Sequence, residues 1–181
     1  MPKIIENLRD RLLDEAQQQL EKNGYEAVTI RSIAKGCGVG VGTVYNYFPS
    51  REALIAAHLL LDWTSCVDEI RSTADRSEMP KPVLQCVYEQ LTGFADRHEA
   101  VFRSEAAPPG FARALGQYHS MLRSQLAQPI RKFCSNDFAA EFIAESLLTW
   151  SMAGKTFDEI YEILKKFFKE EIVCPVSKTF A

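Results

Sequence analysis

The chain has 181 residues, 46% of them hydrophobic, and a formal net charge of −3. That length can bury a sizeable core in one or two domains, and that hydrophobic share is the mark of a globular protein. The near-balanced charge argues against a non-specific coat on nucleic acid, and no apolar run approaches the about 20 residues of a membrane span.

The first ten residues lack the apolar stretch of a secretory leader, so a cytoplasmic protein is expected. The first helix follows, with Leu12, Leu13, Ala16 and Leu20 in one stripe and Gly24-Tyr25 at its end. Thr29 is placed to cap a second helix, because its hydroxyl can accept a free amide of the first turn. Ile30, Ile33, Ala34 and Cys37 then recur at i, i+3, i+4 and i+7, with Arg31, Ser32 and Lys35 off the stripe. Gly38 follows the last periodic residue, where a left-handed cap favours glycine. Val39 is placed to fill the gap before the next helix.

A third helix over Val41–Phe48 is only about two turns long. Val44 and Phe48 face the core, Thr43, Asn46 and Tyr47 face away, and Tyr45 is intermediate. A helix this short needs a scaffold behind it and suits a partner in front. Pro49 stops it, and Ser50 caps a fourth helix opening with Arg51. Helix, glycine turn and short helix is the architecture that lays a recognition helix in the major groove of DNA. A bare helix-turn-helix pattern is often just two packed core helices, but two tyrosines beside the Val44–Phe48 pair have no core reason to be there. The alternating Gly36, Gly38, Gly40 and Gly42 give neither a dinucleotide-binding nor a Walker pattern.

Ile33-Ala34, Gly38-Val39, Gly42-Thr43-Val44-Tyr45-Asn46-Tyr47-Phe48 and Pro49-Ser50-Arg51-Glu52-Ala53-Leu54 closely resemble the DNA-binding segment of TetR-family transcriptional regulators. The resemblance covers roughly residues 5 to 56. It implies an all-α fold, with a helix-turn-helix DNA-binding domain at 1–49 and a larger helical ligand-binding and dimerisation domain at 50–181. It also implies that Thr29 and Arg31 approach the DNA, that Val41, Gly42, Thr43 and Tyr45 enter the groove, and that Tyr47 and Arg51 bind phosphates, with Asn46 beside them. Hydroxyls and a guanidinium fix register on phosphates, while groove-facing side chains read base edges. Two positions depart from the family pattern: Val41 stands where a Lys or another polar residue is common, and Gly40 where Ser is common. Direct readout there is poor in hydrogen bonds, and the turn is expected to order on DNA.

Beyond the motif, helices are expected near 50–76, 80–98, 99–106, 109–134, 136–153 and 156–171, punctuated by Pro80, Pro82, Pro108-Pro109-Gly110 and Gly154. No strand-like alternation appears. The helix from Ser50 is expected to run from one domain into the other. Trp63, Phe94, His98, Phe102, Phe111, Leu115, Tyr118, His119, Leu122 and Trp150 could line a cavity, although aromatics at helical spacing are usually plain core. The resemblance makes a pocket of this set, with His98, Tyr118 and His119 as its polar groups and an apolar or aromatic effector. The last two helices are apolar around much of their girth, which means central core or interface. The resemblance implies the second, a homodimer pairing Phe138, Phe142, Leu147, Phe157, Ile160, Leu164 and Phe168.

Five cysteines, odd in number and widely spaced without C-x-x-C, suit reduced thiols, and His58, His98 and His119 lack metal-ligand spacing. No metal and no cofactor are expected. Residues 1–50 carry six Lys/Arg (Lys3, Arg9, Arg11, Lys22, Arg31, Lys35) and six Asp/Glu (Glu6, Asp10, Asp14, Glu15, Glu21, Glu26). This neutral balance disfavours an architectural DNA binder and points to a dimer presenting two specific surfaces, with a modest salt dependence. The expectation is a ligand-responsive regulator, a repressor rather than an activator, binding a palindromic operator. The alternative is a helical carrier or enzyme using only the second domain. No nucleophile, base and orienter stand out, since His98 and Glu99 are sequence neighbours that do not face each other on a helix.

Overall fold

The structure, a computed structural model, describes residues 7–102 and 111–168, with the backbone alone for residues 100 and 111–118. The fold is all-α, and no strand occurs among the described residues. In chain order the helices are α1 (Leu8–Asn23), α2 (Ile30–Gly36), α3 (Val41–Tyr47), α4 (Arg51–Arg76), α5 (Pro80–Arg97), α6 (Glu99–Phe102), α7 (Phe111–Ile130), α8 (Asp137–Met152) and α9 (Phe157–Leu164). Short 3-10 turns at Tyr25–Ala27, Arg131–Phe133 and Lys165–Phe167 finish the connections or helix ends. The expected continuation of the last helix to 171 stops at this last turn, and the residues from 169 lie outside the description.

The chain divides into two compact units. The first takes the described residues up to Thr64 together with Phe94 to Phe102; the second takes residues 65–93 and 111–168. α4 and α5 each pass from one unit into the other.

The first unit is built on the α1 stripe. Leu8, Leu12, Leu13, Ala16 and Leu20 are all buried. Against them come Val28, Ile30, Ile33 and Ala34, then Val44 and Phe48, then Leu54 and Ile55 from the start of α4. Gly24, at φ 75°, turns the chain out of α1, and its amide closes on the Leu20 carbonyl.

In the second unit α7 packs along α8. Leu126, Ala127 and Ile130 face inward from α7, and Ala140, Ile143, Ala144 and Leu147 from α8. Asn136 caps α8 through the Ala139 amide, and Thr156 and Glu159 form a reciprocal box at the start of α9. Hydrogen bonds from Thr156 and Lys155 pull the Glu159 carboxyl down to about 2. The Lys132 ammonium donates to the Ala74 and Ser77 carbonyls, placing a cation at the C-terminal end of α4 where it suits the helix dipole.

Three residues expected at a dimer interface belong to this core. Leu147, Ile160 and Leu164 are at most 6% exposed within a single chain. Phe157 stacks on Tyr161 and tilts against Tyr88, and Phe168 packs on the Ala74–Val83–Phe133 cluster. The outer face is instead Phe138, Phe142 and Trp150 of α8, at i, i+4 and i+12, with Ile163 and Phe167 beyond. Trp150, expected in a ligand pocket, lies half exposed beside Phe142 in an open groove that also takes Ile160 and Ile163. Among the described residues no helix is long and apolar enough to cross a membrane.

Candidate nucleic-acid interface

The helix pair is fixed at both ends of α2. At its start the Thr29 hydroxyl accepts from the Ser32 amide at 3.0 Å, and the Ser32 hydroxyl accepts from the Thr29 amide at 2.9 Å. Such a box holds two amides that the helix cannot pair itself. At its end Gly38, at φ 67°, lets the Val39 amide reach the Ala34 carbonyl and the Gly38 amide reach that of Lys35. This is a Schellman cap, and it aims the chain straight into α3. Among the four alternating glycines only Gly38 has a positive φ.

Side chains bolt the pair to its scaffold. Arg11 on α1 donates to the Cys37 carbonyl at 3.0 Å, and the Cys37 thiol donates back to the Arg11 carbonyl at 3.4 Å. Burial, helped by Glu15, raises the pKa of that thiol and keeps it a neutral donor. On the other side the Ser32 hydroxyl lies 2.6 Å from Gln19 Oε1, and Gln19 donates to Glu15. Gly36 belongs to this contact: a Cβ there would lie 2.1 Å from the Glu15 carboxylate. Sequence reasoning missed Arg11, Glu15 and Gln19, because they read as the ordinary polar face of α1.

α3 stands on this base through Val44 and Phe48, which are 0% and 4% exposed. Its other side is open. Tyr45 is 51% exposed, Tyr47 42% and Val41 37%, with Gly42 and Asn46 exposed and Thr43 half-buried. Tyr45 is thus the more exposed tyrosine, where spacing made it intermediate. Arg31 is exposed in the first turn of α2. Gly40 caps α3 without a side chain, so no hydroxyl holds its first amides.

Arg51, expected at a phosphate, also has a partner within the fold. Its guanidinium donates to the Tyr25 carbonyl at 2.7 Å and lies over the Tyr25 ring, 4.1 Å from the centroid. The side chain is half-buried and braces the start of α4 against the α1–α2 connection.

The expected effector residues separate into groups. Trp63, Phe94, His98 and Phe102 come together in the first unit: Phe94 meets Trp63 at 5.4 Å, His98 at 4.6 Å and Phe102 at 6.1 Å between ring centroids. His58, which the spacing did not single out, joins them through His98. His119 belongs to the other unit, exposed and 3.6 Å from Glu145. Phe111, Leu115 and Tyr118 are on α7, but their side chains lie outside the described residues. No group of three His, Cys, Asp or Glu able to hold a metal occurs among the described residues.

A braced helix pair with an open, tyrosine-bearing second helix defines a helix-turn-helix DNA-binding module. Residues 12–58 match the family model described as bacterial regulatory proteins, tetR family. The likeness to that family thus falls on the helix-turn-helix segment, from α1 to the first turns of α4. The chain is 32% identical over 84 residues to the HTH-type transcriptional repressor KstR of Rhodococcus jostii (strain RHA1), a match over 46% of this chain and 39% of that protein. It thus spans less than half the length of this curated relative. In fold the likeness is longer. A transcriptional regulator from Cytophaga hutchinsonii ATCC 33406 superposes with a TM-score of 0.66 at 21% identity, over 89% of this chain and 92% of the other. SmeT in its triclosan complex gives a TM-score of 0.63 at 14% identity, over 96% and 97%.

Proposed function

We propose that the chain is a sequence-specific transcriptional regulator, a ligand-responsive homodimeric repressor that binds a palindromic operator in the cytoplasm. The observation that carries this is the open face of α3 on a rigid base, in a segment that matches the family model. Val41, Gly42, Thr43 and Tyr45 read the groove, Thr29 and Arg31 approach the DNA with Arg31 poised for a base edge or a phosphate, and Tyr47 binds phosphate with Asn46 beside it. Arg51 acts from behind, by holding Tyr25 and the start of α4. The DNA-binding domain ends at about Ser50, where α4 begins, and the rest of the chain binds effector and partner.

The second copy docks on the outer face of Phe138, Phe142 and Trp150 with Ile163 and Phe167. Exposed aromatic side chains in one row are what a stable two-fold contact would cover. Two α3 helices would then meet successive major grooves about 34–36 Å apart, or a multiple of it. The effector is a small apolar or aromatic molecule, taken at the cluster of Trp63, Phe94 and Phe102 around His98. Its binding favours a dimer with a different spacing of recognition helices, and by linkage DNA weakens effector binding by the same factor. A melting-temperature screen checks the effector: apolar aromatics should stabilise the protein, and stabilisation by strongly charged metabolites alone would exclude this class.

Binding selection on random duplex DNA, with Tyr47→Ala as control, tests the function. An inverted repeat enriched by the protein and lost in the control is the expected result. A failure to enrich any sequence, repeated after unfolding and refolding to strip ligand, would leave the carrier or enzyme reading in its place.

A further inference from the structure

Two of the three histidines meet in the first unit. His58 lies on the first half of α4, and His98 is the joint between α5 and α6. Both are buried, at 6% and 5% exposure. Their rings meet edge to face with centroids 5.3 Å apart. His98 Nε2 lies 2.8 Å from Asp62 Oδ2, one turn along α4 from His58, and the same oxygen accepts from Arg97 Nε and Nη2 at 3.1 and 3.0 Å. The His98 carbonyl accepts from the Val101 and Phe102 amides, so the residue also starts α6. The groups facing His58 are Asp62 on its own helix, His98 at the α5–α6 joint with Arg97 across Asp62, and Asp14 and Glu21 on α1.

One carboxylate therefore already serves Arg97 and His98 where His58 approaches. Asp14 and Glu21 are exposed, so water screens them. Burial, and then His98, hold the His58 imidazole below its ordinary proton affinity, against the pull of the three carboxylates.

We propose that the His58–His98 contact is a proton switch on DNA binding: a proton on His58 opens the contact between α4 and the α5–α6 joint and moves the first unit out of its DNA-binding arrangement. A charged His58 would lie about 5 Å from a second imidazole with little water to screen the two, so it is better accommodated where it can reach solvent. The joint, the first half of α4 and the α1–α3 module belong to one compact unit, so the opening would act inside the unit that carries α3. Acid thus populates the non-binding arrangement in the way an effector would. The inference rests on the DNA-binding reading.

Three measurements on the full chain test it. Operator affinity is followed from about pH 7.5 to about 5.5 at fixed ionic strength, for the wild type, His58→Asn and His58→Gln. The expected result is a loss of about tenfold or more in the wild type, absent in both variants. The same loss in the variants would overturn the switch. If no duplex binds at pH 7.5, the DNA-binding reading has failed, and the denaturant midpoint decides the rest. A midpoint that falls with acid in the wild type and not in the variants supports the switch; equal falls overturn it. Should the variants not fold, the His58 ring resonance in the wild type decides. Titration below the ordinary imidazole range, together with a changing His98 environment, supports the switch, and titration in or above that range overturns it.

Discussion

Arg51 and Tyr45 show how far single residues could be placed in advance. Motif position made Arg51 a phosphate ligand, and in the structure one guanidinium N–H goes to the Tyr25 carbonyl while the group lies over the Tyr25 ring. The direction of a long side chain is set by what lies within reach, and no spacing rule carries that. Arg51→Ala should therefore lower stability by about 1–3 kcal/mol, through the lost charged hydrogen bond and ring contact, and denaturant unfolding checks it. Arg31, exposed at the start of α2, should behave in the opposite way. Arg31→Ala should leave stability nearly unchanged, cost about 1–3 kcal/mol in operator affinity and relax one operator position in a repeat selection. Unchanged affinity and preference would make it a plain surface charge.

The residues also set a pH dependence. His58 has its pKa lowered in the fold, so its neutral form contributes fully above the unfolded value, about 6.5, and that contribution is lost as pH falls below it. Asp62 also has its pKa lowered: burial works against the shift, and the hydrogen bonds from His98 and Arg97 overcome it. Its stabilising share is present above the unfolded value, about 3.9, and is lost as pH falls through the still lower folded one. Unfolding midpoints over a pH series should show two separate acid losses, with only the upper one removed in His58→Asn.

At the scale of elements the sequence was most legible where punctuation and period agree. The spacing placed a helix over 50–76, and α4 runs Arg51–Arg76, with Ser50 accepting from the Ala53 amide. Gly38 was legible because only a residue free of a Cβ sits easily at φ 67°. Gly38→Ala should cost about 1–2 kcal/mol, seen as a lower melting temperature, since it forces a left-handed alanine between α2 and α3. Gly36 was illegible as a contact, because the Glu15 carboxylate that fills its place arrives from another helix, α1. α8 and α9 were legible as apolar but not as to direction. Both their faces carry large side chains, so the period does not say that Leu147 turns inward while Trp150 turns out.

At the scale of the molecule, the outward set on α8 and α9 defines what a second copy would cover. Phe142→Glu with Trp150→Glu should convert a dimer to a monomer without unfolding it, because both residues are already in water in the single chain. Sedimentation velocity checks this, and a dimer persisting in the double variant would move the interface elsewhere. The monomer should lose operator affinity steeply, since a half-site alone keeps only part of the contacts. The aromatic cluster around His98 was the least legible part. Trp63, Phe94, His98 and Phe102 do meet, yet His58 and Asp62, which complete the polar side, lie one helical turn apart on α4 and looked like part of its ordinary pattern.

The central claim is that the open face of α3 enters the major groove. Methylation interference on the selected operator tests it most directly, because guanine N7 lies in the major groove and adenine N3 in the minor. The account predicts that N7 methylation blocks binding within two half-sites about one helical turn apart, or a multiple of it, and that Tyr45→Ala weakens binding to the unmethylated site. Interference confined to adenine N3, or a pattern with no paired half-sites, would contradict it.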